Sequence, residues 1–440
     1  MNRKRILVVS LLLFLIISVP FFYPHKCTSR VSEREGIYKS LDLFVEVLRE
    51  IEKNYVEPID PRKLIYGAIR GMMKALDPHS SFMTKDEYKE LMIETKGKFT
   101  GVGIEITIKD NSLTVVSPIE GTPAYKAGIK AGDKIIKIDD KPTRDMTLMD
   151  AVKHIRGPKG TKVKLTILRK GVDKPLEFVI TRDVIPIRSV KKYMLASHIG
   201  YVRISSFQSN TTKELKQALR ELEKKGLKGL ILDLRNNPGG LLNQAIEVSD
   251  VFLESGIIVS TKGRKKAQNM VAYAHRNLVE RNYPIVVLVN GGTASAAEIV
   301  SGALQDNKRA LIVGTKTFGK GSVQTVIPLS DGSALRLTTA RYYTPSGRCI
   351  QVTGIEPDIE LPFISPKELK RKIRFLREVD LGKNILGVKK KEKREEERLS
   401  KRAKKLIRND NQVRFALKLL EHWDSIKQVV EGSSAAESER

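Results

Sequence analysis

Cysteine is almost missing from this chain, with Cys27 and Cys349 the only two in 440 residues. So sparse a set excludes a disulfide framework, and the core must hold itself together by burial. Histidine is nearly as scarce at six residues, and no Cys/His cluster has the spacing of metal ligands. That argues against a metallohydrolase and predicts no metal. No histidine sits in a segment that reads as a catalytic loop, so a hydroxyl nucleophile here must find its proton acceptor elsewhere. Acidic residues are outnumbered by basic ones, 51 to 79, for a formal net charge of +28. Phosphate-binding loops and RNA-binding aromatic motifs are missing, so the charge alone does not make a nucleic-acid binder. There is no internal repeat.

What is present is a serine and a lysine in suggestive settings. Ser295 lies in Asn290-Gly-Gly-Thr-Ala-Ser-Ala-Ala-Glu-Ile299, where glycines precede it and a helix-compatible run follows. That places it at a helix N-terminus, where free amides and the dipole favour developing negative charge. Lys320 lies in Gly314-Thr-Lys-Thr-Phe-Gly-Lys-Gly-Ser-Val-Gln324. A lysine is a base only when neutral, so its ordinary value of about 10.4 must fall by roughly three units, which burial in an apolar site achieves. Gln324 follows four residues later, and its amide oxygen can accept a hydrogen bond from the neutral amine and aim the lone pair at Ser295. A carboxylate there would instead hold the proton on the lysine. A second turn, Asp233-Leu-Arg-Asn-Asn-Pro-Gly-Gly240, follows an apolar strand, and its glycine amides can join that of Ala296 as an oxyanion hole. Loss of one such donor typically costs about 3 to 4 kcal/mol of barrier.

These segments resemble the carboxy-terminal-processing (tail-specific) protease family. The resemblance covers residues 31–361 and includes Leu76-Asp-Pro-His-Ser-Ser-Phe-Met83 as the N-terminal signature and Gly354-Ile-Glu-Pro-Asp358 at the end of the catalytic domain. It implies that Ser295 is the nucleophile, Lys320 the general base and Gln324 its orienting residue, with the backbone of Gly240 and Ala296 binding the oxyanion. An aspartate sometimes added to the dyad matches Asp306, eleven residues beyond Ser295. Along a continuous helix that is about 16 Å, so Asp306 with Asn307 reads better as the helix end than as part of the chemistry. Residues 97–182 resemble a PDZ domain, most specifically in Ala124-Tyr-Lys-Ala-Gly-Ile-Lys-Ala-Gly-Asp-Lys-Ile-Ile136. Such a module adds a peptide C-terminus as a strand, and the amides of Val102, Gly103 and Ile104 are the expected carboxylate nest.

The expected fold class is multidomain α+β: a signal or membrane anchor (1–30), a helical N-terminal region (31–96), the β-rich PDZ domain (97–182), an α/β serine protease core (183–361) and a basic helical C-terminal region (362–440). Arg3, Lys4 and Arg5 before the apolar residues 6–23 predict export or anchoring, with the body outside the cytoplasm, in the periplasm or cell envelope. Small residues are lacking before Cys27, which tilts the expectation toward an uncleaved anchor. Leu41, Phe44, Val45, Leu48 and Ile51 fall at helical steps and predict core packing, while the resemblance implies a dimerisation arm and so a homo-oligomer. Residues 389–408 carry eleven Lys/Arg and four Glu, a solvated helix face before a surface for anionic membranes or nucleic acid. His79 is expected to be structural. The expected activity is a serine endopeptidase acting near free protein C-termini, without cofactor and gated by the PDZ module. A non-catalytic PDZ scaffold and a crotonase-like acyl-transfer enzyme stand as the alternatives.

Overall fold

The computed structural model describes residues 28–365 and 399–425, and the chain divides into two units, residues 1–76 and 77–440. The expected anchor and much of the basic run lie outside the described residues. Among the described residues no helix is long and apolar enough to cross a membrane. The first unit has two described helices, Thr28–Asn54 and Pro61–Lys74. The second starts cleanly because Asp60 accepts the Arg62 amide at 2.9 Å and Pro61 needs no acceptor in the first turn. The first corrects the sequence expectation in part: Leu48 and Ile51 are half-buried, but Leu41, Phe44 and Val45 are 52, 41 and 43% exposed and join no core among the described residues. Helical spacing reports an apolar face, not what covers it.

The second unit is built on a six-stranded sheet in the order Val190–Met194, Ile199–Ile204, Gly229–Asp233, Ile285–Val289, Leu311–Gly314, Ile359–Glu360. The first pair is antiparallel and the rest are parallel. Gly229–Asp233 and Ile285–Val289 are buried at every residue, which is why they read as unbroken apolar runs rather than alternating ones. Their side chains divide by parity. Leu230, Leu232, Val287 and Val289 face a core shared with helices Thr211–Glu223, Leu242–Asp250 and Ala296–Asp306. Ile231, Val286 and Leu288 face the other, against helices Lys401–Asn409 and Asn411–Glu421. A second sheet runs Ser81–Met83, Ala334–Tyr343, Ile257–Gly263, Met270–Tyr273, and Ser322–Pro328 pairs with Ala334–Tyr343 through the Ser330-Asp-Gly-Ser333 turn.

The PDZ-like module has its own core around Val115, Ile138, Leu165 and Ile167, under a sheet ordered Ile104–Lys109, Ser112–Pro118, Lys134–Ile138, Lys162–Leu168, Leu176–Thr181. The chain enters and leaves it through one two-stranded neck, Lys98–Gly101 against Asp183–Pro186. The helix Leu148–Ile155 is fastened at its end by Arg182, which donates to the carbonyls of Ile155 at 2.9 Å and His154 at 2.8 Å. From the same helix end Arg156 binds both oxygens of Glu90, in helix Lys85–Lys96, at 2.7 and 2.6 Å.

One buried ionic network ties the C-terminal helices to the sheet. Asp233 is fully buried and accepts from the Tyr201 hydroxyl at 2.6 Å and from Arg235 at Nε, 2.9 Å, and Nη2, 2.6 Å. Burial works to raise this carboxyl, but the Arg235 and Tyr201 bonds outweigh it and hold it below the ordinary value. Arg235 continues to Gln412 Oε1 at 2.6 Å and Asp410 Oδ1 at 3.1 Å. Removing the guanidinium leaves the buried carboxylate with the Tyr201 hydroxyl, the amide of residue 235 and the more distant Arg203, at 3.7 Å. Arg235→Met is therefore expected to lose roughly 3 to 5 kcal/mol of stability. Urea denaturation checks it, and an unchanged midpoint would show that the network contributes nothing.

Candidate active site

Three loops leave the C-terminal ends of three adjacent parallel strands, Gly229–Asp233, Ile285–Val289 and Leu311–Gly314, and converge. This is the edge of an α/β sheet where sites assemble, because side chains and amides there are free of the ladder. The middle loop carries Ser295. Thr293 holds its shape, accepting from the Asn290 amide at 3.0 Å and donating to the Leu234 carbonyl at 2.9 Å. Ser295 is buried and has φ 55° and ψ −115°, a conformation that a non-glycine residue adopts at a cost of about 1 to 3 kcal/mol. Its amide donates to Glu298 Oε2 at 2.8 Å, one turn into the helix Ala296–Asp306. Tyr342 is buried, and burial pushes its phenol up, with the Ser295 side chain offsetting part of the rise.

Glu298 also holds the loop that carries Lys320. Its Oε1 accepts from Thr317 Oγ1 at 2.6 Å and the Gly319 amide at 2.7 Å, and its Oε2 accepts the Lys320 amide at 2.9 Å. The amides of Ser295 and Lys320 thus hang from the same carboxylate oxygen. Glu298 is fully buried, so each of these bonds is made where water cannot replace it. Lys320 is half-buried, and its amine is held below the ordinary lysine value first by burial and then by Arg336, with Asp77 and Glu298 opposing. The environment therefore shifts the amine toward its neutral form.

The third loop is the Asp233 to Gly240 turn. Asn237, fully buried, donates to the Ile204 carbonyl at 2.9 Å, accepts the Gly239 amide at 2.9 Å, and offers its own carbonyl to the Ala294 amide at 2.9 Å. Asn236 and Asn290 exchange bonds of 2.9 and 3.0 Å, stitching this turn to the serine loop. Gly239 has φ +97°, and a Cβ there would stand 2.8 Å from Ser295 Cβ; at Gly240 it would stand 2.2 Å from the Phe207 carbonyl oxygen. No side chain fits at either position. The amides of Gly240 and Ala296 donate to no acceptor among the described residues, which leaves them available to an anionic oxygen.

Gln324 sits opposite Thr338 on the hairpin and donates through Nε2 to Ser322 Oγ at 2.9 Å and Thr338 Oγ1 at 3.3 Å. Asp306 lies at the far end of the serine helix, where it accepts the Ser346 amide at 2.9 Å and pairs with Arg348. In the PDZ-like module Val102 is buried with its carbonyl accepting the Ala124 amide at 2.9 Å, and Gly103 accepts from the Ile119 amide at 2.9 Å. The amides of Val102 and Gly103 donate to nothing among the described residues. Ile104–Lys109 pairs on one side only, so its other edge is open alongside helix Leu148–Ile155.

Sequence reasoning missed Glu298, Asn237 and Tyr342. A signal existed for the first, since a serine followed three residues later by glutamate is the signature of a helix N-terminus whose two ends satisfy each other. No local pattern marks the other two.

Comparison with known proteins adds three family matches: peptidase family S41 over residues 198–361, the PDZ domain over 90–168, and the activating protease CtpB N-terminal domain over 24–87. The chain is 49% identical over 360 residues to a carboxy-terminal-processing protease of Bartonella bacilliformis, covering 81% of this chain and 83% of that one. It is 43% identical over 326 residues to the carboxy-terminal processing protease CtpA of Bacillus subtilis, covering 73% and 69%. A carboxyl-terminal-processing protease of Synechocystis sp. is 42% identical over 327 residues, covering 72% and 76%.

Glu298→Gln keeps the shape but presents an amide donor where amides and a hydroxyl need an acceptor. It is expected to cost about 2 kcal/mol or more and to speed hydrogen exchange at the amides of Ser295, Gly319 and Lys320. Unchanged protection at these three would overturn the bridging role.

Proposed function

The chain belongs to the carboxy-terminal-processing proteases of peptidase family S41, serine-type peptidases with a PDZ domain, and on that premise we propose how its residues divide the work. Ser295 is the nucleophile and Lys320 the base. As Ser295 Oγ attacks the scissile carbonyl, its proton passes to the neutral Lys320 amine, and the tetrahedral oxyanion takes hydrogen bonds from the Gly240 and Ala296 amides. Collapse expels the amine of the new C-terminal fragment, which takes the proton back from Lys320. Water then attacks the acyl-enzyme by the same route. Gln324 orients the lysine, and Asp306 holds the helix end through Ser346 and Arg348 rather than touching substrate. Neither metal nor cofactor enters these steps. The observation that carries the reading is the single buried carboxylate of Glu298, which ties the amides of nucleophile and base together.

Substrate selection follows from the PDZ domain. The open edge of Ile104–Lys109 accepts a protein tail as an added strand, and the Val102, Gly103 and Ile104 amides receive its carboxylate. Arg156 joins the end of the groove helix to Glu90, which gives tail capture a route toward the catalytic body and supports gating. The basic and then apolar residues 3–23 support export or membrane anchoring, with the body outside the cytoplasm. The exposed apolar stripe at Leu41, Phe44 and Val45 supports a homo-oligomer.

Cleavage of an unfolded test protein is expected to fall about a thousandfold or more in Ser295→Ala and Lys320→Ala, and to slow when the substrate C-terminus is amidated. Activity that persists in Ser295→Ala would return the chain to the scaffold reading, and equal rates on free and amidated tails would remove tail capture. The rate is expected to rise with pH as Lys320 loses its proton, with a midpoint below the ordinary lysine value because burial depresses it. A midpoint at or above that value would mean that Lys320 is not the base. Cell fractionation of the full chain is expected to find it in the membrane or outside the cytoplasm, and a soluble cytoplasmic pool would overturn that placement.

A further inference from the structure

An amide side chain has two ends of the same shape and opposite polarity. If Gln324 is to orient Lys320, its oxygen must face the amine, and something must keep the amide from turning over. The hydrogen bonds behind it supply that constraint, and they begin at Asp77 in the Leu76 to Met83 signature, which the proposed chemistry leaves without a task. Asp77 Oδ1 accepts from the His79 amide at 2.8 Å, the Ser80 amide at 2.9 Å and Thr338 Oγ1 at 3.2 Å, and its Oδ2 accepts from Ser80 Oγ at 2.7 Å. Ser80 Oγ in turn accepts the Thr338 amide at 3.1 Å, and the pairing of Ser81–Met83 with Ala334–Tyr343 holds the two segments in register.

Counting protons sets the direction of the chain. An ionised carboxylate only accepts. Burial works to raise the Asp77 carboxyl, but the bonds from Ser80, His79 and Thr338 outweigh it and hold it below the ordinary carboxylate range, so it is ionised at neutral pH. Thr338 has one hydroxyl proton, and Asp77 takes it. Ser80 likewise gives its only hydroxyl proton to Asp77, so its 3.4 Å approach to Thr338 Oγ1 does not compete. Toward Gln324, Thr338 Oγ1 has only lone pairs left. The amide must therefore present Nε2 to Thr338 at 3.3 Å, as it does, with Ser322 Oγ as the second acceptor at 2.9 Å.

We propose that Asp77 is a positioning residue for the base: acting through Thr338, it fixes the Gln324 amide so that the oxygen is the end offered to Lys320. The inference rests on the reading of Ser295, Lys320 and Gln324 given above. It is a relay of polarity, distinct from the charge that Asp77 exerts across space. The charged or titratable groups acting on Lys320 are Arg336, Asp77, Glu298 and His79.

Asp77→Asn and Asp77→Ala separate the two effects. In Asp77→Asn the oxygen stays where the His79 and Ser80 amides and Thr338 Oγ1 donate, and the nitrogen takes the other position toward Ser80 Oγ, so the charge is lost and the relay is kept. The expected result is a pH–rate limb moved to lower pH with the high-pH plateau, where Lys320 is neutral in every variant, left intact. Asp77→Ala also removes the acceptor of the Thr338 proton, which is then free to point at Gln324 and turn the glutamine nitrogen toward the lysine. A fall of about tenfold or more in kcat on the same plateau is expected there, with KM little changed. Thr338→Val, which breaks the relay but keeps the charge, is expected to lower that plateau without the downward shift of the limb, and it carries the test by itself should Asp77→Ala fail to fold. The double variant Asp77→Ala/Thr338→Val is expected to be no worse than the more impaired single one. Plateau rates of the parent enzyme in both Asp77→Ala and Thr338→Val, alongside an impaired Gln324→Ala, would overturn this inference alone. Full activity in Gln324→Ala would overturn it together with the assigned role of Gln324, while inactive Ser295→Ala confirms that the activity measured belongs to this site.

Discussion

The carboxylate of Glu298 is the interaction on which the site depends. Two loops from different strands, one carrying Ser295 and the other Lys320, have no ladder to hold them, and their polar backbone is buried. A buried amide without an acceptor is costly, and a charged acceptor is worth more than a neutral one. By taking the amides of Ser295, Gly319 and Lys320 and the hydroxyl of Thr317, one residue satisfies both loops and fixes their separation. It also secures the strained backbone of Ser295, whose unusual dihedral angles would otherwise relax.

Around that carboxylate, the parallel sheet supplies rigidity and the glycine turn supplies proximity. Neighbouring strands bring the Ser295 loop and the Asp233 to Gly240 turn side by side without long excursions, and paired asparagines lock them. The Asp233–Arg235 network anchors the root of the Asp233 to Gly240 turn to Asp410 and Gln412, so helices Lys401–Asn409 and Asn411–Glu421 bear on a turn about 175 residues earlier. A polar network of this kind contributes little net stability when complete and is costly when broken, which suits it to fixing a geometry.

Much of this was legible in the sequence. In the sequence residues 285–289 are an unbroken apolar run and 162–168 an alternating one, and both are strands with those bounds, because such runs follow directly from which faces are buried. The Ser330-Asp-Gly-Ser333 turn chemistry likewise agrees with the hairpin found there. The serine, the lysine and the two-glycine turn stood out because each needs a rare residue in a fixed local setting. What did not show were partners that meet across long separations: Asp77 with Thr338, and Arg235 with Gln412. Such bonds leave no periodicity. The stripe at Leu41, Phe44 and Val45 was legible as a helix and misread as core, since spacing marks an apolar face and not whether anything covers it.

The neck between Lys98–Gly101 and Asp183–Pro186 has a consequence for how the chain is put together. Because the PDZ module begins and ends at one pair of strands, the rest of the second unit meets it as a single closed loop. The entropy of closing a flexible loop grows only with the logarithm of its length, so doubling the insert would cost about 0.6 kcal/mol more. A module with its own hydrophobic core repays even that internally. The catalytic body is therefore nearly indifferent to the size of what hangs between those strands, and the insert is free to be shaped by what it must grasp.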